Sequence, residues 1–102
     1  MSKKILLVCM AGMSTSLLVN RMKDYVKDNG LDYDIKALPA GEAQDVAKDQ
    51  DCILLGPQVG FQKESMQGYA GEGVPVDVIP MRIYGSMDAP RVINMAKKLM
   101  GE

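Results

Sequence analysis

At 102 residues the chain is large enough for one hydrophobic core without disulfides, and a single domain over residues 1–102 is expected. Its 47% hydrophobic and 25% charged residues are a globular composition, and a net charge of -1 gives no general attraction to nucleic acid or anionic lipid. Histidine is absent, which removes Cys-His pairs, Ser-His-Asp triads and histidine metal sites; no apolar run spans a bilayer and Met1-Ser2-Lys3-Lys4 carries no signal-peptide pattern, so the expected setting is the cytoplasm, without membrane insertion.

The first element is Ile5-Leu6-Leu7-Val8, a continuous apolar run expected of a strand covered on both faces. Beyond Cys9, Leu17, Leu18, Met22, Tyr25 and Val26 recur at helical spacing with polar residues between them. Asn29-Gly30 marks the end of that helix. Residues 33–38 alternate polar with apolar, as an edge strand does, and Pro39 stops them. A short helix over 41–48 and a central strand over 51–56 follow, the latter ended by Pro57. Residues 59–72 are moderately helical, with Phe61, Met66 and Tyr69 as their apolar positions. Residues 76–79, between Pro75 and Pro80, make a fourth strand. Tyr84 falls in the loop after it. Asp88 caps a final helix with Pro90 in its first turn and Val92, Ile93, Ala96, Leu99 and Met100 as its apolar stripe.

Strands alternating with helices specify an α/β domain: a four-stranded parallel sheet of order 2-1-3-4, flavodoxin-like, with helices on both faces. Ligands of such sheets bind beyond the carboxyl ends of the strands where the order reverses, here between strands one and three. Both loops at that point carry unusual residues. After strand one comes Cys9-Met10-Ala11-Gly12-Met13-Ser14-Thr15-Ser16; after strand three comes Gly56-Pro57-Gln58-Val59.

In the first loop Gly12 lets the backbone fold closely round a ligand, and Ser14, Thr15 and Ser16 supply hydroxyls that can cap the helix. The first N–H groups of a helix lack internal acceptors and carry the positive end of its dipole, so they suit a tetrahedral dianion. The same field favours a thiolate at Cys9, which is therefore the expected nucleophile. A cysteine at a strand end, without such a loop, would read as a small buried hydrophobe. Cys52, inside an apolar strand, is read in that way. Pro57, Gln58 and Tyr84 are candidates for the rim or for partner contact, and Met10 and Met13 serve equally as contact surface or core. Asp45, Asp49 and Asp51 do not form a Mg²⁺ pocket, so no metal and no cofactor are expected.

These residues resemble the enzyme IIB component of the bacterial phosphoenolpyruvate-dependent sugar phosphotransferase system, of the lactose/cellobiose (chitobiose) class. The carriers of the resemblance are residues 9–19 and 55–59. It implies that Cys9 accepts a phosphoryl group from phosphohistidine on a IIA protein and passes it to a sugar held by a membrane IIC permease, a β-linked disaccharide being the expected substrate. Residues 10–16 would then wrap the phosphoryl oxygens. Phosphatases of low molecular weight carry a related Cys-x5-Arg-Ser/Thr loop; here Thr15 stands in the arginine place, removing the bidentate clamp that assists hydrolysis. A phosphatase-like hydrolase, a thiol redox protein using Cys9 and Cys52, and a flavodoxin-like binding module are the rival readings. A monomer is the expected state.

Overall fold

Strand β1 (Lys3–Cys9) forms because Ile5, Leu6, Leu7 and Val8 all lose their contact with water, each at 0 or 1% exposure. In the computed structural model, which describes residues 2–10 and 13–102 with the side chains of 13–15 excepted, β1 lies at the centre of a parallel sheet. It pairs on one side with β2 (Tyr33–Pro39) and on the other with β3 (Cys52–Leu55), which in turn pairs with β4 (Val76–Val78). The order β2-β1-β3-β4 is the expected one.

Alternation along β1 divides the interior into two cores. Ile5 and Leu7 face α1 (Met13–Asp28) and α5 (Ala89–Leu99), meeting Leu18, Met22, Val92 and Ile93. Leu6 and Val8 face α2 (Ala40–Val46) and α3 (Lys63–Ala70), meeting Ala43 and Met66.

The ends of the helices follow from local chemistry. At the end of α1, Gly30 takes φ +64°, and the Leu31 N–H reaches back to the Val26 carbonyl at 2.9 Å. That is the left-handed closure glycine permits and a side chain resists. At the start of α5 the Asp88 carboxylate accepts from the Arg91 N–H at 3.2 Å, with Pro90 in the first turn as expected.

Three expectations need correction. A fifth helix, α4 (Met81–Gly85), occupies what read as a loop; Tyr84 sits within it and is 7% exposed. Its five residues are too few to display a period, and its start is fixed by the Tyr84 N–H bonding to the Pro80 carbonyl at 3.0 Å. The segment after β3 begins as a 3-10 stretch (Pro57–Gln62) before α3, so Phe61 leaves the apolar stripe and stands 77% exposed. On α1, Leu17 is exposed while Val19 is buried, because the stripe through Met22 and Val26 runs at i–3 and i–4 from Met22.

Ile93 is fully buried between α5 and the sheet. Ile93→Ala is expected to lower unfolding free energy by about 2–5 kcal/mol, whereas Asp88→Ala, which removes one cap, costs about 1 kcal/mol. Urea unfolding followed by circular dichroism measures both.

Candidate functional site

Cys9 is the last residue of β1, held in register with Pro39 of β2, while Val8 stands opposite Leu55 of β3. Four residues later the chain is already helical, for α1 starts at Met13. Ser14, Thr15 and Ser16 are thus in the first turn of the helix and not in the preceding loop. The backbone N–H groups of Met13, Ser14 and Thr15, at the first positions of the helix, are among those that an α-helix leaves without internal acceptors. Ala11, Gly12 and the side chains of Met13, Ser14 and Thr15 lie outside the described residues. Met10 projects into solvent at 64% exposure and is surface, not core.

The Gly56 N–H donates to the Val8 carbonyl at 2.9 Å, which ties the second loop to the residue before Cys9. A Cβ built at Gly56 would stand 3.0 Å from Gln58 Oε1, 3.5 Å from the Tyr84 ring and 3.6 Å from the Val8 carbonyl. Gln58 and Tyr84 therefore converge beside the end of β1 although they come from different elements, the 3-10 stretch and α4. Pro57 opens the 3-10 stretch and turns the chain there. The Ile79 N–H, bonded to the Leu55 carbonyl at 2.8 Å, brings the end of β4 and hence α4 to the same edge. Tyr84 is a wall of the site and not a rim residue, because α4 turns its ring inward.

Cys9 itself is more enclosed than an open nucleophile would be, at 4% exposure. A small side chain in the middle strand, flanked by Pro39 and by the turn at Gly56, has little surface left to present. Any reactant that reaches its sulfur must come from the carboxyl end of the strand.

Cys52 is wholly buried in β3 and pairs with Ile5, four residues back from Cys9 along β1. At about 3.3 Å per residue the separation is about 13 Å, beyond the Cα spacing of a disulfide. The two cysteines are free thiols, so the redox pair is excluded. Burial, with lesser contributions from Asp77 and Asp51, pushes the Cys52 thiol up to about 12. Among the described residues no group of three or more acidic, cysteine or histidine side chains could hold a metal ion.

Residues 4–95 match the family described as the lactose/cellobiose-specific IIB subunit of the PTS system. The chain belongs to that family. Curated relatives include the oligo-beta-mannoside-specific EIIB component of the PTS system of Bacillus subtilis, 40% identical, and the cellobiose-specific EIIB component of Lactococcus lactis, 43% identical; each alignment covers 96% of this chain and 96% of the relative. A solution structure of the cellobiose-specific IIB component from Borrelia burgdorferi superposes with a TM-score of 0.82 at 34% identity, over 99% of this chain and 94% of the other. As a IIB component the protein is a phosphotransferase, a phosphoryl carrier that works with sugar-specific IIA and IIC components. Among the described residues no helix is long and apolar enough to cross a membrane.

A thiol with a raised pKa stays neutral in the folded protein and ionises more readily once unfolded. Its contribution is fully present below the unfolded value of about 8.5 and is lost as pH climbs towards 12. Replacing Cys52 by Val is expected to flatten the fall in stability between about pH 9 and pH 12, measured by urea unfolding as a function of pH. In the native wild type at pH 8, iodoacetamide should leave Cys52 unmodified.

Proposed function

We propose that Cys9 is the phosphorylated residue of this IIB component, taking a phosphoryl group from phosphohistidine on IIA and delivering it to a sugar bound by the membrane permease IIC in the cytoplasm-facing step of uptake. The observation that carries this reading is the placement of Cys9 at the end of β1, immediately before the amino terminus of the sixteen-residue helix α1. Phosphoryl transfer asks a protein for alignment and charge neutralisation more than for covalent help. The N–H groups that an α-helix leaves without internal acceptors at its start supply the second.

In the first step the Cys9 sulfur attacks phosphorus, the S–P bond forms, the P–N bond to the donor histidine breaks, and that histidine nitrogen ends with the proton the thiol gives up. In the second a sugar hydroxyl oxygen attacks phosphorus, the S–P bond breaks, and the sulfur leaves as thiolate while the hydroxyl proton passes to a base outside this chain. With no histidine in its sequence, the chain leaves proton handling to its partners. Thr15, where an arginine would clamp the oxygens in a hydrolase, keeps phosphocysteine from being driven towards water. Residues 10–16 hold the dianion through amides and hydroxyls, and Gln58, beside Gly56 in the neighbouring turn, is a further candidate donor.

Relatives named for cellobiose and for oligo-beta-mannoside support a β-linked sugar as the final acceptor. A relative from Lactococcus lactis that is 42% identical is named for galactose, which supports galactose as a further candidate acceptor.

Incubation with phosphorylated IIA, followed by intact-mass and peptide analysis, is expected to place one phosphoryl group on Cys9 and none on Cys9→Ser. Label retained by Cys9→Ser at another residue would contradict the assignment.

A further inference from the structure

The net charge of -1 conceals a separation of charge across the sheet. On the α1, α4 and α5 side, Arg21, Lys23, Lys27, Arg82, Arg91, Lys97 and Lys98 outnumber Asp24, Asp28, Asp32, Asp88 and Glu102. Between residues 40 and 72, on the opposite side, the balance inverts: Glu42, Asp45, Asp49, Asp51, Glu64 and Glu72 outnumber Lys48 and Lys63, with Lys4 and Lys36 of the sheet lying beside Asp49 away from the groove described next. Lys63 is moreover engaged by Asp77 at 3.4 Å.

The acidic side also carries exposed aromatic surface. A groove of about 410 Å³ runs between α2 and α3, lined by Ala40, Gln44, Phe61, Gln62, Ser65 and Tyr69 among others, none of them charged. Phe61 is 77% and Tyr69 51% exposed, an arrangement that a folded core does not need and that a partner would cover. The groove begins one residue past Pro39, the register partner of Cys9, and is thus continuous with the face that must be presented in phosphoryl transfer.

We propose that this groove and the acidic side chains around it dock the membrane permease IIC, with Phe61 and Tyr69 as apolar anchors and Glu42, Asp45 and Glu64 meeting basic cytoplasmic loops. The proposal rests on the carrier reading above and adds the surface that distinguishes the two partners. Charge decides the occupant: short cytoplasmic loops of membrane proteins carry an excess of Lys and Arg, which complements the α2–α3 side and opposes the α1–α5 side. An anionic lipid surface has the wrong sign for this groove. A carrier that shows one cysteine to two proteins in turn needs footing beside that cysteine that the partners do not share, and the groove supplies it.

The two half-reactions separate the proposal from the reading beneath it. Phe61→Ala and the double replacement Glu42→Lys with Asp45→Lys alter exposed positions. Each is assayed for label transfer from phosphorylated IIA to Cys9, and then for sugar phosphorylation by inverted vesicles carrying a IIC permease that the wild-type chain serves. The first rate should stay within about twofold of wild type, while the apparent KM for the phosphorylated chain at the vesicles rises about tenfold, the loss of one hot-spot contact. Raising the salt concentration should weaken the wild type at the vesicles and spare the charge-reversed variant. Equal losses in both half-reactions would assign the groove to IIA or to folding and overturn the proposal; so would no loss in either, or equal wild-type binding to permease-free vesicles of the same lipids. Failure of the wild type to accept label on Cys9 would instead overturn the carrier site itself.

Discussion

A phosphoryl dianion on sulfur has to be neutralised without being hydrolysed, and the architecture of a parallel sheet offers a way to do so. Every strand delivers its carboxyl end to the same edge, and the next element starts there with unbonded N–H groups. In this chain β1 ends on Cys9 and α1 begins at Met13, so the sulfur and the helix start are kept together by the sheet. The burial of Ile5 through Val8 between two helical layers is what fixes that geometry. Substitution in either layer would move the end of β1, and with it the sulfur.

Neutralisation by peptide dipoles differs from neutralisation by a guanidinium. Amides hold the ground-state dianion, whereas a bidentate arginine also follows the charge as it spreads in attack by water. Thr15 in the first turn of α1 and the lack of histidine throughout leave the proposed nucleophile and its cradle with few groups for proton transfer. This division suits a carrier, since the reaction is completed only when a partner supplies the remainder. Cys52, buried and about 13 Å away along the strands, takes no part and behaves as a core side chain.

The sheet and its order were legible because a doubly covered strand is written as an unbroken apolar run, and 5–8 and 52–55 are such runs. The Gly30 closure and Asp88 cap were legible for the same reason: each rests on chemistry local to a few residues. Helix α4 was not, since five residues after a proline display no period. The exposure of Phe61 and Tyr69 was not legible from their place as apolar positions of 59–72, because hydrophobicity says that a ring prefers to be covered without saying by what; the 3-10 stretch before α3 turns Phe61 outward. The meeting of Gln58 and Tyr84 beside Gly56 joins residues 26 apart in sequence. Only the topological switch point, which brings the ends of β1 and β3 together, hinted at it.

The opposite charges of the two helical layers add a second level of organisation. The Cys9 sulfur lies in the central strand between a helical layer with an excess of basic residues and one with an excess of acidic residues and exposed aromatic rings. Under the two proposals above, holding the phosphoryl group and choosing the partner are separate tasks that fall to different faces of one sheet.

The central claim is that backbone N–H groups at the start of α1 hold the phosphoryl group on Cys9. Amide chemical shifts of ¹⁵N-labelled protein, compared before and after phosphorylation by IIA, test it most directly. The account predicts the largest downfield changes at the amides of residues 10–16, with small changes elsewhere. Unmoved amides over 10–16, with the main response at a cationic side chain such as Arg82, would contradict it.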